Sequence, residues 1–447
     1  MNKTFKLLAA VFFVSAIFYS CSDSSDVVTN TTGSISPLAS TYDSKFAIDW
    51  MWLSGKIVAD ESRDNPPQAA RVYSYLCITM YECLVPGMPL NRSLSGQLKD
   101  MPAMPVTYPG YEYDWPSVLT GAMPIMFRGL FRYLYTPANN MINNMAAKQK
   151  EERYALKDSM VINRSILFGE SIANRILDWA NDDGFYRIKG MPYDPPTIFE
   201  DPSNWEPINP GDTAVEPYWG TLRTFAVQSA SYNYLPPSYS FDSTVGSPFY
   251  NDQLEIKNIR ENPTQEQKDI ALFWRDKQLT LQPPGHWVAI LYQIIARDNV
   301  KLDKAAEGLA FLGIGIGDAF ISCWYAKYFN NYLRPQSFIR RFMQPGWTPL
   351  VPTPPFPDYP SGHSTGSGTA AYLLTKVFGE VAFTDTTHLR IGMAPRNFNN
   401  FRDAAVECSN SRIYGGIHYR NACENGVIMG ERIGADIYSR VKLKKIQ

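Results

Sequence analysis

The chain has 447 residues, 45% of them hydrophobic and 19% charged. That is enough to bury one large core or two to three ordinary ones, and it excludes a disordered or fibrous protein. Lys plus Arg comes to 42 and Asp plus Glu to 43, a net charge of −1, so no global basic field exists to hold nucleic acid or an acidic membrane and any anion site must be local.

Lys3 and Lys6 precede an apolar run from Leu7 to Phe18, followed by Tyr19, Ser20 and Cys21. This is the charged, apolar, small-residue order of a secretory signal over residues 1–20. Ser20-Cys21 and the polar Ser22 to Asp26 resemble a bacterial lipoprotein signal, which implies cleavage before Cys21, its acylation, and a periplasm-facing or cell-surface protein held to the membrane only through that lipid. A plain cleaved signal is the alternative. Residues 21–43 read as a lipidated polar tether, disordered to about residue 40, with folding from about Ser44. Beyond the leader no apolar stretch approaches the roughly 18 residues needed to cross a bilayer. Without Cys21 five cysteines remain, with no C-x-x-C pair; they read as buried thiols or as one disulfide joining Cys408 and Cys423.

After Asn65-Pro66, apolar residues at Ala69, Val72, Tyr73, Leu76, Met80, Cys83 and Leu84 fall on one helix face. Ile162, Ile166, Gly169, Ala173, Ile176 and Ala180 mark a second long helix ending near Gly184. From Phe185 to about Glu261 the chain is rich in Pro, Tyr, Asp and Ser without period and reads as a long ordered loop. Thr264 with Gln267 forms a capping box before a renewed helical pattern. It continues over 286–297 and 302–329. Residues 344–360 are a proline-dense loop, and helices return over 364–378 and about 424–441. No alternating strand pattern or fixed repeat is visible. The fold class is therefore all-α, a helical bundle with long ordered loops, with one domain over 44–447 and the chemistry in 318–434.

Three short segments concentrate groups that bind a tetrahedral oxyanion. Lys327 and Arg334 lie seven residues apart, about two helical turns, with Trp324 and Asn331 on the same stripe, and Pro335 drives Arg334 toward extended geometry. Pro360-Ser361-Gly362-His363 opens a helix whose first amides and dipole favour an anion. Ser411-Arg412 precedes His418. Arginine supplies paired planar donors, lysine a point charge, and the two imidazoles a ligand or nucleophile and an acid/base. Of the other histidines, His286 reads as structural at a helix start and His388 as surface. Asp318, nine residues before Lys327, reads as a partner for an arginine or as a helix-packing residue.

The order Lys-x6-Arg-Pro, Pro-Ser-Gly-His, Ser-Arg-x5-His resembles the signature of the vanadium haloperoxidase and type 2 phosphatidic acid phosphatase superfamily, over about residues 318–434. The resemblance implies that Lys327, Arg334, Ser361, Gly362 and Arg412 form the oxyanion cage. It makes His418 the axial ligand to vanadate or the phosphate nucleophile, and His363 the acid/base. The segment Pro-Pro-Phe-Pro-Asp-Tyr-Pro-Ser-Gly-His, with Trp324 three residues before the lysine, is similar to vanadium chloroperoxidases, in which aromatics at the positions of Trp324 and Phe356 form the halide pocket; both residues read equally well as core. The family's Asp four residues after the last histidine is Ala422 here, so Glu424 or a backbone carbonyl is the expected substitute for steadying His418.

Three functions follow as expectations. The first is a vanadate-dependent haloperoxidase oxidising chloride or bromide with hydrogen peroxide. The second is a soluble acid phosphomonoesterase with phosphate in the cage and a phosphohistidine intermediate. The third is a non-catalytic phosphate-binding surface lipoprotein. All three take small-molecule ligands and none takes nucleic acid; nothing in the sequence sets the oligomeric state.

Overall fold

The computed structural model describes residues 35–445 except 63, 132, 133, 210 and 278; the leader, Cys21 and most of the tether lie outside the described residues. Order begins earlier than the polar composition of the tether suggests. Pro37 O accepts the Trp115 indole N–H at 2.6 Å, Ser36 Oγ accepts from Tyr113 N at 2.8 Å, and Ala39 is fully buried. A buried tryptophan needs an acceptor for its N–H, and the end of the tether provides it.

The helices run α1 Lys45–Asp60, α2 Pro66–Leu84, α3 Trp115–Leu130, α4 Thr136–Tyr154, α5 Ser159–Asn181, a short α6 Phe185–Ile188, α7 Pro248–Glu261, α8 Gln265–Phe273, α9 Gln282–Arg297, α10 Leu302–Asn330, α11 Pro335–Phe342, α12 Gly362–Phe378, α13 Phe401–Tyr414 and α14 Arg420–Arg440. A two-stranded antiparallel hairpin, β1 Phe383–Asp385 and β2 Arg396–Phe398, pairs Phe383 with Phe398. The protein is all-α with this one small addition. The starts of α2 and α8 carry complete capping boxes, Asn65 with Gln68 and Thr264 with Gln267.

α10 is the central helix and packs on α2, α9, α12 and α14. By length and mean hydropathy of 1.5 it could cross a membrane, contrary to the expectation of no such segment, but 94% of its apolar window is buried inside the protein. A helix apolar all round is what a position surrounded by other helices requires. Asp318, in the middle of α10, pairs with no arginine. Its oxygens accept from the backbone N–H groups of Phe225, Ala226 and Val227 at 2.6, 2.8 and 2.9 Å, and burial pushes its carboxyl up to about 6. It pins the long 189–247 segment to the core.

That segment was expected to be loop as far as Glu261, yet it ends in α7. Pro248 stands at the first helical position, the Ser247 side chain accepts from Tyr250 N, and Phe249, Gln253 and Ile256 are buried. The five described cysteines are free and buried, so Cys408 and Cys423 are not joined; they behave as small apolar side chains.

Candidate active site

α10 stops at Asn330, and Asn331 takes the left-handed conformation with φ 49°. Lys327 and Arg334 therefore do not share one helix face. Arg334 is extended, φ −82° and ψ 155°, and is the residue before α11, as Pro335 demands. Asn331 turns away and donates to Asn204 Oδ1 at 3.1 Å.

The proline-dense loop before α12 supplies the holders of both cations. Lys327 Nζ donates to Pro357 O and Asp358 O, each at 2.9 Å; Arg334 Nε donates to Phe356 O at 2.7 Å. Prolines have no N–H, so this loop presents mainly carbonyls. Arg334 Nη1 donates to Ile417 O at 2.8 Å, while its Nη2 is buried without a partner. Arg412 Nη1 donates to Trp274 O, and Arg412 Nε is likewise buried without a partner. Burial lowers Lys327 to about 7 and Arg334 to about 10, with Arg334 lowering Lys327 further and Arg412 lowering Arg334.

The structure brings the motif residues together. Arg334 Nη1 lies 3.1 Å from His418 Nε2, and Arg412 Nη1 lies 3.1 Å from His363 Nε2. Burial first, then Arg334, Lys327 and Arg412, hold His418 well below the ordinary histidine range; burial first, then Arg412, do the same for His363. Both rings are neutral at pH 7. A guanidinium can only donate, so His363 Nε2 accepts from it and the ring proton is assigned to Nδ1. Ser361 is the N-cap of α12. Its Oγ accepts from Ser364 N at 3.3 Å and Ser364 Oγ at 2.9 Å, which leaves its own O–H to donate elsewhere. The N–H groups of Gly362 and His363 open the helix and have no partner within it.

Ala422 offers no side-chain acceptor, and Glu424 pairs with Arg420 at 3.2 Å instead of reaching His418. The residue beside His418 is Asp358, with Oδ1 2.9 Å from Nδ1. The contact is off-line for a hydrogen bond, and neither Asp358 oxygen has one in good geometry. Burial raises Asp358 to about 7 against the pull of Arg334 and Lys327. Sequence reasoning passed over Asp358 although it lies within the quoted Pro-Asp-Tyr-Pro-Ser-Gly-His string. It also missed Asp276, whose Oδ2 is 3.9 Å from His363 Nε2 and for which no motif exists.

His363 and His418 form the floor of a cavity of about 430 Å³ walled by Val215, Phe320, Trp324, Pro355, Phe356 and Ile417. Trp324 and Phe356 lie 5.1 Å apart, and the Phe356 ring is 4.7 Å from the Arg334 guanidinium and 5.1 Å from Lys327 Nζ. Cation–π contact thus couples the apolar wall to the cations. Gly362 admits the Trp324 ring, which lies 3.3 Å from where a Cβ would stand.

Buried cation donors without partners are rare, and each calls for an explanation. Here Arg334 Nη2 and Arg412 Nε, the remaining Lys327 N–H, the Ser361 hydroxyl and a helix N-terminus surround two neutral imidazoles, a donor set that fits a tetrahedral oxyanion and offers a ring nitrogen to its central atom. The class so defined is a helical protein with buried, partly unpartnered cation donors gathered around two histidines in its C-terminal half. Residues 308–445 match the second helical-bundle domain of vanadium chloroperoxidase. The chain is 22% identical over 380 residues to the vanadium chloroperoxidase of Curvularia inaequalis, spanning 70% of this chain but only 61% of that relative. Its structure is similar to that of a bacterial vanadium-dependent iodoperoxidase, with a TM-score of 0.82 and 28% identity over 91% of this chain and 98% of the other. A bacterial vanadium-dependent chloroperoxidase in holo form shares the fold, with a TM-score of 0.64 and 15% identity over 86% and 93% of the two chains. Residues 308–445 thus resemble the helical-bundle domain of vanadium chloroperoxidase, and the chain as a whole shares the helical fold of vanadium haloperoxidases.

Proposed function

We propose that the protein is a vanadate-dependent haloperoxidase. The observation that carries this is the pair of buried, unpartnered guanidinium atoms, Arg334 Nη2 and Arg412 Nε, facing a site that holds two neutral histidines. Lys327, Arg334, Arg412, the Ser361 hydroxyl and the Gly362 N–H would hold vanadate, with a ring nitrogen of His418 as the protein's ligand to it. Bound vanadate supplies Lewis-acid activation of hydrogen peroxide toward halide without itself changing oxidation state.

The chain's own residues do the rest. The three cations, each almost fully buried, offset the negative charge of the oxyanion. Asp358 Oδ1 stands 2.9 Å from His418 Nδ1 and, brought into line, would accept its proton, which would leave the Nε2 lone pair for a ligand. His363 carries a proton at Nδ1 and, being the more open of the two rings at 17% side-chain exposure, can exchange it with groups in the cavity. Trp324 and Phe356 give a weakly hydrated halide an apolar seat. The iodoperoxidase similarity makes iodide the first halide to test, ahead of bromide and chloride. Purified protein with vanadate and peroxide is expected to oxidise iodide and halogenate a phenol reporter; turnover no greater than that of His418→Ala would sink the reading.

A second reading is a phosphomonoesterase, favoured by the Asp358 carboxylate beside His418 Nδ1, which would support that ring as a nucleophile. Phosphate release from a nitrophenyl ester, inhibited by micromolar vanadate, supports it; insensitivity to vanadate counts against it. We also infer an exported lipoprotein held by Cys21, a reading tested by palmitate labelling that Cys21→Ala abolishes.

A further inference from the structure

Behind His363 lies a second, buried polar cluster, Asp276, His286, Asp385 and His388, of which Asp276 also lines the cavity. His388, expected at the surface, is only 1% exposed because its Nε2 reaches Asp276 Oδ1 at 3.1 Å and its ring packs 5.1 Å from Phe273. His286, in the first turn of α9, is clamped on both sides. Its Nδ1 is 2.9 and 3.0 Å from the two Asp276 oxygens, and its Nε2 is 2.7 Å from Asp385 Oδ2. Ionised carboxylates only accept, so a ring between two of them holds a proton on each nitrogen. The ligating atoms of Asp276, His286 and His388 lie within 4.8 Å of one another, as in a metal trio, but the hydrogen bonds just described already occupy them.

Two routes lead from His286 to His363. In the first, His286 and His388 hold the Asp276 carboxylate, which stands 3.9 Å from His363 Nε2. In the second, the His286 ring stacks on Trp274 at 4.3 Å and 21°, the Trp274 carbonyl accepts from Arg412 Nη1, and that same nitrogen is 3.1 Å from His363 Nε2. Both routes end beside His363 Nε2, where Arg412 as donor favours the Nδ1–H form and Asp276, too distant at 3.9 Å to accept a hydrogen bond, acts through its attraction on Arg412.

We propose that His286 is a positioning residue for the site, fixing the orientation and tautomer of His363 through Asp276 on one side and through Trp274 and Arg412 on the other. This rests on the reading of His363 as the proton carrier. The charges around His286 agree with it. Burial opposes an imidazolium, yet Asp276 from the α8–α9 connection and Asp385 from β1 outweigh it and raise the ring to about 10. Burial also works to raise Asp276, but His286 and His388 hold its carboxyl far below the usual range. The remaining titratable neighbours are His363 on α12, Arg412 and Cys408 on α13, Tyr292 on α9 and Tyr73 on α2. Asp276 has φ 45°, a left-handed backbone that the cluster must maintain.

Four histidines in the whole chain make nitrogen-15 NMR of labelled histidine tractable. In the full wild-type chain one ring is expected to stay doubly protonated between about pH 6 and 9, with His363 in the Nδ1–H form. In His286→Gln the imidazolium signal should vanish and the His363 signals move. The kcat for iodide oxidation should drop about 10- to 100-fold with KM for iodide within about twofold, as expected when an outer partner of a site residue is lost. Asp385→Asn, which keeps the ring in place, should give the same pattern more weakly and serves if the glutamine variant does not fold. A wild-type spectrum without a persistent imidazolium, or variants with unchanged His363 signals and kcat, would overturn the proposal. Wild-type protein inert toward every halide would instead remove the haloperoxidase reading, and the spectra would still decide whether His286 sets His363.

Discussion

The α3/α5 and α12/α14 pairs use the same packing device for opposite ends. A Cβ on Gly169 would stand 2.0 Å from Val118 O, and one on Gly430 would stand 2.3 Å from Thr365 O, so each pair brings backbone directly against backbone. In the first pair the polar groups close on themselves: Ser165 Oγ donates to Val161 O at 2.7 Å and accepts from Asp114 N at 2.8 Å. In the second, the contact fixes α12 tightly, yet the start of that helix opens on Ser361, His363 and two guanidinium groups with unpartnered nitrogens. Rigid packing is common to both; unsatisfied cations beside it distinguish a site from a scaffold.

That comparison can be broken most strongly at Gly169. Gly169→Leu places a side chain into backbone that cannot yield, and a stability loss of at least about 3 kcal/mol is expected in denaturant unfolding. A loss below about 1 kcal/mol would mean that the α3/α5 contact is loose. At the site, Asp358→Asn should leave the fold within about 1 kcal/mol and lower kcat or vanadate affinity about 10- to 100-fold, because His418 Nδ1 loses its carboxyl neighbour. Unchanged kinetics would show that Asp358 does not orient the ring.

A third test separates the halves. Vanadate at about 100 times its Kd should stabilise the protein by about 2.7 kcal/mol, seen as a raised Tm. The increment should survive Trp50→Phe in the fully buried N-terminal core and disappear in Arg412→Leu. An increment that Trp50→Phe also removes would mean that the two halves are not independent.

The smallest effect is a pH dependence. With Lys327 lowered to about 7 by burial, the empty site loses that charge as pH rises through neutrality. An oxyanion favours the charged form and raises the group again, so binding takes up protons and affinity falls as pH increases above about 7. Calorimetry in buffers of different ionisation enthalpy reads this uptake directly, and proton release at pH 8 would contradict it.

What the sequence made legible was chemistry written in contiguous strings. Lys327, Arg334, Ser361-Gly362-His363, Arg412 and His418 could be named because each lies in a short motif, and the helical class followed from apolar spacing and capping boxes. What stayed hidden depends on tertiary neighbours. Asp276 and Asp385 acquire meaning only when α9 places His286 between them, and His388 reads as surface until Asp276 draws it in. Arg334 could be counted two turns from Lys327, but Asn331 ends the helix first. α7 escaped notice because only Phe249, Gln253 and Ile256 mark its buried face.

The central claim is that two imidazoles and three cations close around one oxyanion. Anomalous diffraction at the vanadium edge from vanadate-loaded crystals tests it most directly. The expected result is a single strong peak among Lys327, Arg334 and Arg412, within bonding distance of His418 Nε2. A peak elsewhere, or none in crystals shown to have taken up vanadate, would contradict it.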